Sequence, residues 1–341
     1  MQKTMKRWAL SALGRDNLTL DDAPLPVPQR GEVLVRTKAV SLNYRDKLVM
    51  ETGMGMTLDF PFVPASDMTG VVEAVGGGVT RFAVGDRVIS TFAPGWIDGK
   101  PLGSARQPPY RTLGGAYPGV LSEYVAFSED WFVEAPTSLD DGEASTLTCA
   151  GLTAWFALVE RGKVRPGDTV LVQGTGGVSL FGLQIALAQG AEVFVTSGSK
   201  EKLDRVKAMG AHHIIDRHAG DWVEAVYQLT GDRGVDHIFE IVGGAHLGQS
   251  LKAVALNGRI SLIGVFEGFD ISGPAGPLLL KSPVVQGIGV GHRRGLEDLV
   301  RAVDSLQLKP AIDHRYSFDE VPLALDHLDR GPFGKIVVEV G

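Results

Sequence analysis

The sequence predicts an α/β protein in which a doubly wound parallel sheet stands beside a β-rich domain completed by the C-terminal tail. Three observations predict it. From Gly151 onward, short apolar strands alternate with helices, the pattern of parallel crossovers. Before Gly151 the chain reads mostly as strands separated by glycine-rich turns. After the alternation ends, one strand pattern remains at 335–340 and returns most simply to the first domain. The expected division is therefore 1–150 with 290–341, and 151–289, in keeping with two cores for 341 residues.

In order, residues 6–10 form a first strand, and 21–30, with Pro24, Pro26 and Pro28, an extended connector. Residues 32–40 place Val33, Val35 and Ala39 on one face and Leu34, Arg36 and Lys38 on the other. Strands follow at 70–75, 85–92 and 120–127, with an aperiodic Gly/Pro-rich surface loop over 98–118. The second domain opens with a helix over 152–160. Its strands are expected at 169–173, 192–197, 213–216, 235–242 and 259–264. Between them lie helices at 178–189, 200–209, 221–230 and 249–255, and a further amphipathic helix covers 296–306.

The most telling stretch is Gly174-Thr175-Gly176-Gly177-Val178-Ser179, placed between a strand and a helix. A turn this tight needs residues without a Cβ. Gly176 lets the backbone approach a pyrophosphate, and the helix beginning near Val178 aims free N–H groups at the same anion. Ser179 stands where the G-x-G-x-x-G pattern has its third glycine, whose task is helix–strand packing. In this context the motif predicts dinucleotide binding.

Composition removes other classes. A net charge of −7 argues against general nucleic-acid binding. No apolar stretch is long enough to span a bilayer, and 1–14 makes a poor signal peptide. The single cysteine, Cys149, excludes an internal disulfide and a cysteine-rich zinc site, which fits a cytoplasmic protein. An NAD site wants an acid near the end of the second strand. Here the chain reads Thr196-Ser197-Gly198-Ser199-Lys200. Ser197 and Ser199 can bond a 2′-phosphate and Lys200 can pair with it, so NADPH is expected over NADH. The competing role for Ser199 is a helix N-cap.

Several segments together resemble the medium-chain dehydrogenases/reductases, in particular their zinc-independent quinone-oxidoreductase-like branch. They are Ser41-Leu42-Asn43-Tyr44-Arg45-Asp46, Pro61-Phe62-Val63-Pro64, Gly70-Val71-Val72-Glu73-Ala74-Val75-Gly76, Val84-Gly85-Asp86-Arg87-Val88, Cys149-Ala150-Gly151-Leu152-Thr153-Ala154-Trp155, the glycine turn, and Gly334-Lys335-Ile336-Val337-Val338. The resemblance implies a GroES-like catalytic domain beside a Rossmann domain. It also implies nicotinamide contacts from Gly264, Val265, Gly289, Val290 and Thr153, and a homodimer paired through 283–290. Where zinc-holding members carry metal ligands, this chain has Asn43, Ser66, Asp67 and Cys149, too few good ligands for catalytic zinc. Cys149 then reads as a small buried hydrophobe.

Without metal, Asn43 and Tyr44 are the candidate donors to a substrate oxygen, Asp46 orients their loop, and Arg45 reads as solvated. Tyr44 is equally readable as a half-buried aromatic. Three functions remain open: an NADPH-dependent reductase of quinones, enones or activated carbonyl compounds; a zinc-independent alcohol dehydrogenase or aldehyde reductase; and a non-catalytic NADPH-binding sensor.

Overall fold

The computed structural model describes residues 3–101, 103–107 and 110–341. The chain divides into two compact units, 1–152 with 291–341, and 153–290. The division falls within two residues of the expected boundaries.

Chain order begins with β1 (Thr4–Leu10), β2 (Leu18–Pro24), β3 (Glu32–Leu42) and α1 (Tyr44–Thr52). Then come β4 (Asp67–Val75), β5 (Arg87–Ser90), β6 (Tyr124–Ser128), β7 (Phe132–Glu134) and α2 (Asp141–Ser145). After α3 (Leu152–Trp155) the second unit runs β8 (Thr169–Gln173), α4 (Gly177–Ala188), β9 (Glu192–Ser197), α5 (Lys200–Ala208), β10 (His213–Asp216) and α6 (Trp222–Thr230). It continues with β11 (Val235–Glu240), α7 (Leu247–Ala253), β12 (Val254–Leu262), α8 (Ala275–Lys281) and β13 (Val284–Gly287). The tail is α9 (Arg293–Leu306), β14 (Ile312–Ser317), α10 (Val321–Asp329) and β15 (Lys335–Glu339).

In the second unit the six strands lie in the order β10-β9-β8-β11-β12-β13, all parallel. Every residue of β8 is buried, as a central strand covered on both faces requires. Its core is built from Leu171, Phe194, Ile238 and Ile260 of the sheet, with Val223, Val226, Leu247 and Leu251 of the helices. Helix α4 approaches this sheet closely. A Cβ on Gly182 would lie 2.9 Å from the Phe239 ring of β11. The packing task of the third motif glycine is thus carried by Gly182, and Ser179 has another use.

The first unit holds a sheet in the order β14-β15-β3-β4-β5-β7, with β6 also paired to β3. Val33, Val35, Val40, Met68, Val88, Ile336 and Val338 are among the residues at its core. The tail strand β15 pairs antiparallel with β3, with Ile336 opposite Leu42, so the last strand does return to the first unit. This register sets Lys335 beside Asn43.

Three expectations change. The connector at 21–30 is partly strand: β2 pairs with β1 through Asp21↔Arg7 to Pro24↔Thr4, and only its final residue is proline. The strand expected at 120–127 begins at Tyr124, because Val120 and Leu121 bond instead to Pro64 and Trp8. The loop at 98–118 is not wholly superficial, since Thr112 and Leu113 are fully buried.

Gly182→Val should overpack the α4–β11 contact and destabilise the protein by about 1–3 kcal/mol. Denaturant unfolding of the variant checks this, and an unchanged midpoint would refute the close approach.

Candidate functional site

The second unit builds its candidate site at one edge of the sheet. Because all six strands are parallel, the residues following them gather at the carboxyl edge. Neighbours β9 and β11 wind away from β8 in opposite directions, which creates the crevice where open α/β sheets bind ligands. The turn after β8 has Gly174 at φ 72°, a left-handed conformation that a side chain disfavours. A Cβ on Gly176 would meet nothing within 4 Å, so open space lies over the turn. The first N–H groups of α4, from Gly177 through Val178, lack acceptors within the helix and are available to an anion. Ser179 is buried and its hydroxyl donates to the Gln173 carbonyl at 2.7 Å, tying the helix start to the strand end. These features fit a dinucleotide diphosphate.

The other predicted cofactor residues, Thr153 apart, fall at or after the carboxyl ends of the strands. Ser197 is the last residue of β9, and Lys200 opens α5. Ser199 caps α5, accepting from Lys202 N at 3.3 Å, so the capping role is realised. Gly264 and Val265 follow β12, and a Cβ on Gly264 would lie 1.7 Å from the Ile241 carbonyl oxygen. Gly289 and Val290 follow β13. Val290 sits at φ 67°, strained for a β-branched residue. Thr153 is buried in α3.

Sequence reasoning missed several residues here. Arg217 and His218, just past β10, lean over Gly198, whose Cβ would lie 2.8 Å from Arg217 Nε and 2.5 Å from His218 Nε2. Asp216 accepts from His218 N at 2.9 Å, so its carboxylate serves its own turn. The fully buried Glu240 accepts from Gln173 Nε2 at 3.1 Å and from Val242 N and Gly243 N. It also meets Ser250 Oγ at 2.5 Å and His246 Nδ1 at 3.0 Å. Burial alone would raise its pKa, but these partners outweigh burial and hold it below the usual range. Gln173 Oε1 in turn accepts from Ile241 N, so the ends of β8 and β11 are locked together beside the glycine turn. An acid inside the apolar run Ile238-Phe239-Glu240-Ile241 was the available signal.

In the first unit, Asn43, Tyr44 and Asp46 meet at the start of α1. Asn43 is the N-cap and Asp46 is nearly fully buried, its Oδ2 accepting from Asn43 N at 2.8 Å in a capping box. Tyr44 is 40 % exposed. Asp67, the first residue of β4, is fully buried and accepts from Ser66 Oγ at 2.5 Å and Cys149 N at 3.0 Å. Lys335 is buried beside them, its ammonium donating to the Leu42 carbonyl and to Asn43 Oδ1, each at 2.6 Å. The Asn43 amide is close enough to Asp67 to favour the ionised carboxylate, yet Nδ2 is buried and completes no hydrogen bond.

Arg45 is not solvated. Its guanidinium donates to the Leu113 and Gly114 carbonyls, to Thr112 Oγ1 and to Tyr110 Oη, and lies over the Phe92 ring. It fastens the 110–114 segment over α1.

Burial lifts the Asp46 carboxyl from 3.8 to about 6, with Asp67 adding to the rise, against the pull of Arg45, the Asn43 N–H and Lys335. Asp67 is raised too, by burial, in spite of Lys335. Cys149 is driven well above a normal thiol by burial and Asp67, which makes it a poor thiolate.

Comparison with known proteins adds identity. Residues 29–137 match the alcohol dehydrogenase GroES-like domain family, and 177–305 the zinc-binding dehydrogenase family. A zinc-type alcohol dehydrogenase-like protein of Schizosaccharomyces pombe is 37 % identical over 325 residues, covering 92 % of this chain and 93 % of that protein. The chain belongs to the medium-chain dehydrogenase/reductase superfamily.

This medium-chain dehydrogenase/reductase is 26 % identical to the quinone oxidoreductase of Rattus norvegicus, over 93 % of this chain and 92 % of the other. It superposes with a TM-score of 0.97 on a crystal structure described, provisionally, as an alcohol dehydrogenase from Sinorhizobium meliloti 1021, 70 % identical with full coverage of both chains. It is an NAD(P)-dependent oxidoreductase with the Rossmann and GroES-like architecture. No helix among the described residues is long and apolar enough to cross a membrane.

The zinc in one family name finds a poor fit. Among the described residues no three His, Cys, Asp or Glu side chains are grouped to hold a metal. An ammonium also bonds Asn43 Oδ1, the oxygen a cation would otherwise take.

Because the folded pKa of Asp46 lies above its ordinary value, its contribution to stability is complete below about pH 4 and is lost as pH rises through about 6. Asp46→Asn, which keeps an acceptor for Asn43 N, should flatten that part of the stability–pH curve. Unfolding midpoints at pH 4 to 7.5 check this, and parallel curves for the two proteins would refute it.

Proposed function

We propose that the protein transfers a hydride from NADPH to a quinone, enone or related activated carbonyl compound without catalytic zinc. The observation that supports this reading is the Asn43 amide, whose Nδ2 is buried beside the Asp67 carboxylate without completing a hydrogen bond to it. An orphaned buried donor costs about 1–3 kcal/mol, which a substrate oxygen gaining negative charge would recover. When bound, the reduced nicotinamide supplies the hydride. Asn43 holds the oxygen, Tyr44 offers a second donor, and Asp46 fixes the loop that carries both. The same donors serve the alcohol–carbonyl pair in either direction. The alcohol dehydrogenase-like relatives keep that second reading in view.

Supporting NADPH, the carboxyl edges of β9 and β10 offer Ser197, Lys200, Arg217 and His218, with no acid from 196 to 200. Two cations beside a dianionic 2′-phosphate favour it, and a carboxylate there would repel it. A homodimer is part of this proposal. Strand β13 forms the open edge of the six-stranded sheet, and Leu279 and Leu280 of the adjacent α8 are 74 % and 83 % exposed. Light scattering should give twice the 36.3 kDa chain mass, and a monomer at micromolar concentration would refute it.

Fluorescence titration should show NADPH binding more tightly than NADH. Lys200→Ala with Arg217→Ala should weaken NADPH by about ten- to a hundredfold and leave NADH nearly unchanged. Equal affinity of wild type for both cofactors would overturn the preference. NADPH consumption with a quinone and enone panel tests the reaction. Tyr44→Phe should lower kcat about tenfold or more if the phenol donates. Absence of consumption across the panel, with NADPH bound, would favour a sensor.

A further inference from the structure

Lys335 is a buried cation that neither the glycine motif nor the predicted donors account for. Antiparallel pairing of Ile336 with Leu42 brings it against the end of β3. Its ammonium spans 2.6 Å to the Leu42 carbonyl and 2.6 Å to Asn43 Oδ1. An amide held through its oxygen by a cation has one orientation: the alternative flip would set Nδ2 against the ammonium, donor facing donor. The bond to a charged donor also draws electrons toward Oδ1, so the N–H groups of the same amide become better donors. The other end of that amide is Nδ2, buried on the side of the Asp67 carboxylate with no completed hydrogen bond.

The charges around it balance. Asp46 comes from α1, Asp67 from β4, the Cys149 thiol from the π-helical segment Leu147–Gly151, and the Arg45 guanidinium from α1. Two carboxyls thus face two cations, one of them an ammonium covalently part of β15. Loss of that ammonium would leave Asp67 with less compensation and Asn43 free to turn.

We propose that Lys335 is the positioning residue of the active site: its ammonium fixes and polarises the Asn43 amide so that Nδ2 is presented to the substrate oxygen, the electrostatic task that a metal ion performs elsewhere. The kinetic part of this inference rests on the reading that Asn43 binds the substrate; the orientation of the amide does not.

The test combines spectroscopy with kinetics. In protein labelled with ¹⁵N-asparagine, the Asn43 side-chain resonance is the one missing from Asn43→Leu. It should move in Lys335→Met and in Lys335→Gln, the second keeping a donor without charge should the first fail to fold. In steady-state assays both variants should lose about tenfold in kcat, with NADPH affinity unchanged. Lys335→Arg should recover part of the loss. In an Asn43→Leu background the same substitutions should cost nothing further, because the residue acts through that amide.

A folded Lys335 variant with the Asn43 resonance in place, or an undiminished cost in the Asn43→Leu background, would overturn the proposal. If wild type turns over none of the carbonyl compounds while the resonance still moves, the proposed reaction fails and the positioning of the amide stands.

Discussion

Burying the Lys335 ammonium against the Leu42 carbonyl and Asn43 Oδ1, within the electrostatic reach of Asp46 and Asp67, is the interaction on which the first unit's candidate site depends. Opposite charges buried near one another contribute little net stability, and removing one of them is costly. The arrangement is therefore better understood through what it orients. The same ammonium that offsets the carboxyls takes the oxygen of Asn43, and the Asp46 carboxyl takes its N–H. One asparagine is thereby gripped at backbone and side chain, which is the preorganisation that a hydrogen-bonded oxyanion requires. Arg45 extends the constraint outward by fastening the 110–114 segment to the helix that begins at the same asparagine.

The second unit achieves rigidity by different means. Its glycine turn carries one side chain, Thr175, among three glycines, so firmness comes from beneath: Ser179 secures the helix start, and the Gln173–Glu240 contact secures the two strand ends. Glu240 satisfies backbone and side-chain donors together, which is how a carboxylate stays ionised at full burial.

Much of the parallel half was legible in the sequence because its strands are buried on both faces and read as uninterrupted apolar runs, Val170-Leu171-Val172 above all. Helix α1 was not, since only Asp46, Val49 and Met50 are buried and no apolar stripe marks it. The glycine turn is marked by local pattern, and Asn43 by the family resemblance. Arg45 and Lys335 could not be found by local pattern: their partners lie 68 and 293 residues away in sequence, and a charged side chain gives no local sign of being enclosed. Ser199 shows the opposite difficulty, a local pattern that fits two roles at once, of which the cap is realised.

The late arrival of β15 has a consequence for biosynthesis. Residues 39–42 of β3 lack their neighbour on one flank until residues 336–339 have been made, whereas β8 to β13 complete their pairing within one contiguous stretch. Vectorial synthesis therefore favours early maturation of the inserted nucleotide module, while the enclosing module stays unsealed and exposed to chaperones.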